Sequence, residues 1–183
     1  MPNVLVPLAQ GCEELEAVTI IDLLRRAKID VTTAGLDKQT VIASRGVKII
    51  PDTDLDSALK QEYDMIVLPG GLPGADHLDN DPRIRALLKK MASKHKYTAA
   101  ICAAPKALAN AGVLDGKTAT SYPGFLDDMN LPNTKITNEA VVIDGKVITS
   151  RGPGTAMDFA LTLIEMLCGL DKRIEVETAL VRN

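Results

Sequence analysis

The sequence predicts a three-layer α/β fold, a doubly wound parallel sheet with helices on both faces and a small antiparallel hairpin. Three observations carry this reading. Short aliphatic runs alternate with stretches of helical periodicity, the pattern of strand–helix–strand crossovers. Hydrophobic residues make up 46 % of the chain but aromatics only 3 %, with no Trp, so the core is aliphatic. Strands buried on both faces read as such near-continuous aliphatic runs. The 183 residues contain no low-complexity linker. That length suits one domain over 1–183, since single domains commonly run to roughly 100–200 residues. A sheet of this kind is flavodoxin-like.

Val4 to Ala9 is the first strand, and Glu14 to Ala27 an amphipathic helix with Leu15, Val18, Ile21 and Leu24 on one face. Val31 to Ala34 is a strand, and Val41 to Ile50 folds back around Ser44-Arg45-Gly46. Asp64 to Leu68 is a buried strand ending in Pro69-Gly70-Gly71. A helix over Pro82 to Ser93 has Asp81 as N-cap and Pro82 at its first position. Tyr97 to Ile101 is the next strand, followed by a helix from Ala103 to Ala111. Val141–Ile143 and Val147–Thr149 flank Asp144-Gly145, a two-residue hairpin signal. Thr155 to Leu167 is an apolar helix that Gly169 ends, and Lys172 to Leu180 a short final one.

Composition excludes several function classes. The net charge is -3 with signs mixed, so no basic stripe neutralises a nucleic-acid backbone, and base-stacking aromatics are lacking. No apolar run approaches the roughly 18 residues of a membrane span. Met1 to Ala9 lacks the positive region of a signal peptide. Cys12, Cys102 and Cys168 are odd in number and scattered, neither a disulfide framework nor a zinc pattern. A reducing, cytoplasmic location is expected.

The segment Ala99-Ala100-Ile101-Cys102-Ala103-Ala104-Pro105 carries the most chemistry. A strand runs into a helix through small residues that permit a sharp turn, the geometry of a nucleophile elbow. That turn is expected to expose the sulfur. The helix N-terminus offers free N–H groups and partial positive charge, which favour a thiolate and a pKa of about 3.5–7.5. The competing reading is a small buried cysteine that only packs. Position favours function, because ligands of open α/β sheets bind beyond the carboxyl ends of the strands. Gly70 and Gly71 follow a strand at that edge and admit close backbone approach to a ligand, or simply make a turn. The run Gly70 to Gly74 fits neither dinucleotide nor P-loop fingerprints, so no nucleotide cofactor is implied. Glu13, Glu14 and Glu16 suit the start of a helix, and Glu14 and Glu16 point to different faces.

Ala-Ile-Cys-Ala-Ala-Pro at 100–105, Leu-Pro-Gly-Gly at 68–71, Gly-Cys-Glu-Glu-Leu-Glu at 11–16 and Ser-Arg-Gly-Pro-Gly-Thr at 150–155 together resemble the ThiJ/PfpI superfamily. Within it the chain is similar to the branch of the parkinsonism-associated protein deglycase and bacterial YajL. The resemblance selects Glu16 as a protonated partner of Cys102, and the amides of Gly71 and Ala103 as an oxyanion-binding pair. It implies a homodimer and no cofactor or metal.

Many superfamily members place a histidine where this chain has Tyr122, which argues for a Cys–Glu pair rather than a triad. Both histidines look peripheral: His77 reads as a loop residue and His95 lies at the opposite edge. Tyr122, Arg45, Arg151, Gly70 and Pro153 are candidates for the substrate pocket, the arginines through bidentate hydrogen bonds to small anions. Cys12 is a second redox thiol or filler, and Cys168 is core.

The activity implied is a cysteine-dependent glyoxalase III or deglycase, acting on methylglyoxal, glyoxal or their amine adducts. The alternative is an oxidative-stress sensor or redox-regulated chaperone whose cysteine oxidises to sulfinate. A cysteine protease or amidotransferase shares the elbow but normally needs the missing histidine.

Overall fold

A seven-stranded sheet forms the middle layer of the protein in a computed structural model, which describes residues 1–182. The chain begins with β1 (Asn3–Leu8), α1 (Glu14–Arg26) and β2 (Asp30–Gly35). A small hairpin of β3 (Val41–Ile42) and β4 (Lys48–Ile49) precedes β5 (Thr53–Asp54) and α2 (Leu55–Ala58). Then come β6 (Met65–Leu68), α3 (Gly74–Asn80), α4 (Pro82–Ser93), β7 (Tyr97–Ile101) and α5 (Pro105–Asn110). The short pair β8 (Thr118–Ala119) and β9 (Lys135–Ile136) leads to the hairpin β10 (Val141–Asp144) and β11 (Val147–Ser150). A 3-10 turn at Pro153–Thr155, α6 (Ala156–Cys168) and α7 (Leu170–Ala179) complete the chain.

The sheet order is β10-β11-β7-β6-β1-β2-β5, with every pairing parallel except β10 on β11. The run β2-β1-β6-β7-β11 is the flavodoxin-like 2-1-3-4-5 arrangement, and its direction of winding reverses between β1 and β6. Right-handed crossovers on either side of that reversal send helices to opposite faces. Accordingly α1, α6 and α7 pack together, and α3, α4 and α5 form a second group. Between them Val4, Leu5, Val6, Met65 to Leu68 and Ala99 to Ile101 are wholly buried, as their unbroken aliphatic runs require. No helix is long and apolar enough to cross a membrane among the described residues.

Asp81 caps α4 by accepting from the Arg83 amide at 2.9 Å, and Gly169 ends α6 at φ 87°, both as the sequence predicts. Four readings change. The inner face of α1 is Ala17, Ile20, Leu23 and Leu24, whereas Leu15 and Val18 are about half exposed, at 51 % and 48 %. The helix carries apolar residues around most of its girth. Its rotation is set by packing on α6 and by the cap from Glu13, whose Oε2 accepts from the Glu16 amide at 2.8 Å.

The hairpin loop is Gly145-Lys146 rather than Asp144-Gly145. Asp144 stays paired with Val147, and its carboxylate accepts from the Thr118 amide at 2.8 Å. His77 lies on α3, exposed, where the Pro- and Gly-rich sequence reads as loop. α5 starts at Pro105, because Cys102 to Ala104 form the turn before it.

Ile20 is fully buried on α1, so Ile20→Ala is expected to lower unfolding free energy by about 2–5 kcal/mol in urea titration. A loss under about 1 kcal/mol would place the packing stripe elsewhere.

Candidate functional site

Three adjacent strands, β1, β6 and β7, end at the same edge, and each sends one element of the site beyond it. Cys102 follows β7 directly. Its φ of 63° is left-handed, a conformation that costs a β-carbon residue about 1 kcal/mol or more. Its own backbone holds it there. The Cys102 amide donates to the Ser150 carbonyl at 3.0 Å, and the Tyr122 amide donates to the Cys102 carbonyl at 2.8 Å. Cys102 is buried, at 8 % exposure, rather than open to solvent as the local turn predicts.

Gly70 and Gly71 follow β6. A β-carbon on Gly70 would lie 2.6 Å from the Cys102 β-carbon and 2.8 Å from Glu16 Oε2, so glycine is required for the two groups to meet. Gly71 has a φ of 87°, and its amide, with that of Ala103, draws the Cys102 thiol down, against the burial that raises it.

Glu16 comes from α1 and is wholly buried, on the same side as Ile20 and Leu23. Its Oε2 accepts from the Gly70 amide at 2.8 Å, while Oε1 is buried with no partner in place. An unpaired buried carboxylate oxygen is costly, so the group is stabilised by holding a proton. Burial pushes Glu16 up to about 7, against the pull of the Gly70 amide and Cys102. Burial, followed by the Glu16 charge, pushes Cys102 up to about 12, against the amides of Gly71 and Ala103. The helix-terminus effect expected to depress the thiol thus loses to desolvation and a neighbouring carboxylate. The two titrations are coupled, and the pair gives up one proton near neutrality and keeps the other.

Glu14 has a different task. Its carboxylate accepts from Ser44 Oγ at 3.0 Å and the Arg45 amide at 2.8 Å, tying the β3–β4 turn to α1. That turn forms one side of a cavity of about 310 Å³ with Cys102 in its lining. Arg45, Tyr122 and Pro153 are in its lining, together with Glu13, Leu72 and Phe125. Arg151 is held elsewhere, its guanidinium donating to the Ser121 carbonyl at 3.3 Å and Asn138 Oδ1 at 3.2 Å. The cavity with the thiol is not the largest, since about 630 Å³ opens at the opposite edge around Lys96 and Tyr97. Cys12 is wholly buried and, through burial and the charges of Glu14 and Glu13, pushed up to about 12, which fits packing. Cys168 is half-buried at the end of α6 rather than core.

The model described as the DJ-1/PfpI family matches residues 2–166. The chain belongs to the DJ-1/PfpI family. Within this family it is 46 % identical to the Parkinson disease protein 7 homolog of Danio rerio, over 97 % of this chain and 95 % of that one. It is 44 % identical to Protein DJ-1 homolog A of Arabidopsis thaliana over 98 % of its own length, and spans 46 % of that longer relative. The glutathione-independent glyoxalase DJR-1.2 of Caenorhabditis elegans is 36 % identical over 89 % of this chain and 87 % of that one. The crystal structure of Drosophila melanogaster DJ-1beta superposes with a TM-score of 0.94 at 44 % identity, covering 100 % of this chain and 98 % of that one.

A carboxyl raised from its ordinary 4.5 to about 7 in the fold favours folding below 4.5 and loses that contribution as pH climbs to 7. Glu16→Gln keeps the shape but cannot ionise. It is expected to be more stable than the parent by up to about 3 kcal/mol at pH 8, with the gap closing by about pH 4. Urea titration at the two pH values measures this, and a gap independent of pH would contradict it.

Proposed function

We propose that this chain is a cysteine-dependent, cofactor-independent enzyme of the glyoxalase III or deglycase type, acting on methylglyoxal, glyoxal or their amine adducts. The observation that carries the reading is a buried thiol and a buried carboxyl that meet across Gly70 at the lining of a small cavity. A family relative that carries the name glyoxalase supports it.

At rest the remaining proton sits on sulfur, because Cys102 is pushed up further than Glu16. The working form is the tautomer in which it has passed to Glu16 and the sulfur is a thiolate, helped by the Gly71 and Ala103 amides. The thiolate attacks the aldehyde carbon of methylglyoxal, and the carbonyl oxygen takes the Glu16 proton to give a hemithioacetal. Glu16, now a carboxylate, removes the hydrogen from that carbon and returns it to the neighbouring carbon through an enediol. The product is a thioester of the 2-hydroxy acid. Water hydrolyses it, releasing the acid and restoring the proton to the pair. The net change is addition of one water to the dicarbonyl. In the deglycase variant the same attack falls on the adduct carbon and the amine leaves.

The same pair supports a second reading. A sulfinate formed by oxidation of Cys102 would accept a hydrogen bond from protonated Glu16 at the otherwise unpartnered Oε1. A protease or amidotransferase is less well served, because His77 and His95 are both exposed.

Turnover of methylglyoxal to 2-hydroxy acid separates the readings. Cys102→Ala is expected to abolish it and Glu16→Gln to lower kcat at least about 100-fold. Wild-type turnover no greater than that of Cys102→Ala would sink the enzyme and leave the sensor.

The pH profile carries a sign. Below about 7 both groups are protonated and no thiolate exists, so kcat/KM should rise with pH through about 7 and then level. A profile rising only in strongly alkaline solution would mean that the proton does not pass from sulfur to Glu16.

A further inference from the structure

Lys106 is placed where helix stability does not explain it. It is the second residue of α5, one turn beyond Cys102, and a cation in a first turn opposes the helix dipole. Its side chain is only 18 % exposed, and burial draws its pKa below the ordinary lysine value. The ammonium bonds Asp76 on α3. It also stands 5.8 Å from the centre of the Phe125 ring, in cation–π range. Phe125 in turn meets Tyr122 edge-on, with centroids 6.3 Å apart and planes at 76°. Both rings line the cavity that holds Cys102.

We propose that the Lys106–Asp76 pair is a positioning device for the cavity wall: through the Phe125 ring it holds Tyr122 and Phe125 over Cys102 and sets the size of molecule that reaches the thiol. The backbone of this wall is fixed independently. The Tyr122 amide donates to the Cys102 carbonyl, the Leu126 amide donates to Ser121 Oγ at 3.2 Å, and Leu126 is wholly buried. What those contacts leave undetermined is the tilt of the half-buried Phe125 ring. The cation 5.8 Å from its centre and the edge-on Tyr122 ring supply that tilt. Asp76, reaching across from α3, keeps the ammonium from turning out to solvent. Lys106 is thus a positioning residue that acts through Phe125. Its effect on substrate rests on the activity proposed above, whereas its effect on access to the thiol does not.

The test has two arms. In the first, Cys102 is alkylated by iodoacetamide and by the bulkier N-phenylmaleimide, with peptide mass analysis restricting the readout to Cys102. The ratio of the two rates cancels any change in the ionisation of the thiol. Lys106→Met and Phe125→Ala are each expected to raise the bulky-to-small ratio about fivefold. The double variant should add nothing further, and Lys106→Arg should stay within about twofold of the parent.

In the second arm, Lys106→Met is expected to raise KM for methylglyoxal about fivefold with kcat within about twofold. Asp76→Asn should shift both readouts in the same direction and serves if Lys106→Met does not fold. A lowered melting temperature with unchanged size ratio would reduce Lys106 to a structural residue and overturn the proposal. Absence of turnover in the parent would remove the enzymatic reading alone, and the alkylation arm would still decide.

Discussion

A carboxyl deprived of water must either find a full set of donors or keep its proton, and Glu16 is given only one amide. The surroundings of the thiol follow from this shortage. Gly70 supplies the single hydrogen bond and, by lacking a side chain, the space for it. Cys102 becomes the carboxyl's partner in titration. The amides of Gly71 and Ala103 then offset part of what burial does to the sulfur. A second donor to Glu16 would let it ionise near its ordinary value and would end its coupled titration with the thiol near neutrality.

That local shortage depends on a global feature. The sheet reverses its winding between β1 and β6, so α1 and α3 leave on opposite faces and their first turns part beyond the strand ends. The gap between them is where the glycine turn, the thiol and the carboxyl meet. The outer wall has a separate origin, in the irregular segment after β8 and the β3–β4 turn tied by Glu14. Floor and wall can therefore differ independently. The floor is constrained by the core, and the wall only by short contacts such as Lys106 with Phe125.

How much of this was legible in the sequence depended on how local the cause was. The elbow at Cys102 was legible because its causes lie within seven residues, Ala99 to Pro105. The fold class was legible because aliphatic runs such as Val4 to Leu8 report burial on both faces. The inner face of α1 was misread because Leu15 and Val18 are as apolar as Ile20 and Leu24, and only the packing of α6 chooses between them. Glu16 could not be told from Glu14 without that rotation, and it was singled out by resemblance alone. Exposure and acidity of the thiol were misjudged because local turn chemistry says nothing of the carboxyl arriving from α1. Arg151 follows a strand much as Arg45 does, yet contacts with Ser121 and Asn138 hold one while the other lines the cavity. The two-residue strands β5, β8 and β9 are too short to carry any periodicity.

The hydrogen bond between Glu16 and Gly70 spans 54 residues of sequence, and Cys102 lies farther along again. Before β1, β6 and β7 have paired, the thiol is an ordinary cysteine and the carboxyl an ordinary ionised glutamate. The coupling between them exists only where the long-range parallel ladders have closed. A nascent or damaged chain therefore does not display the coupled centre. The chemistry of the site is, in effect, licensed by the integrity of the sheet beneath it.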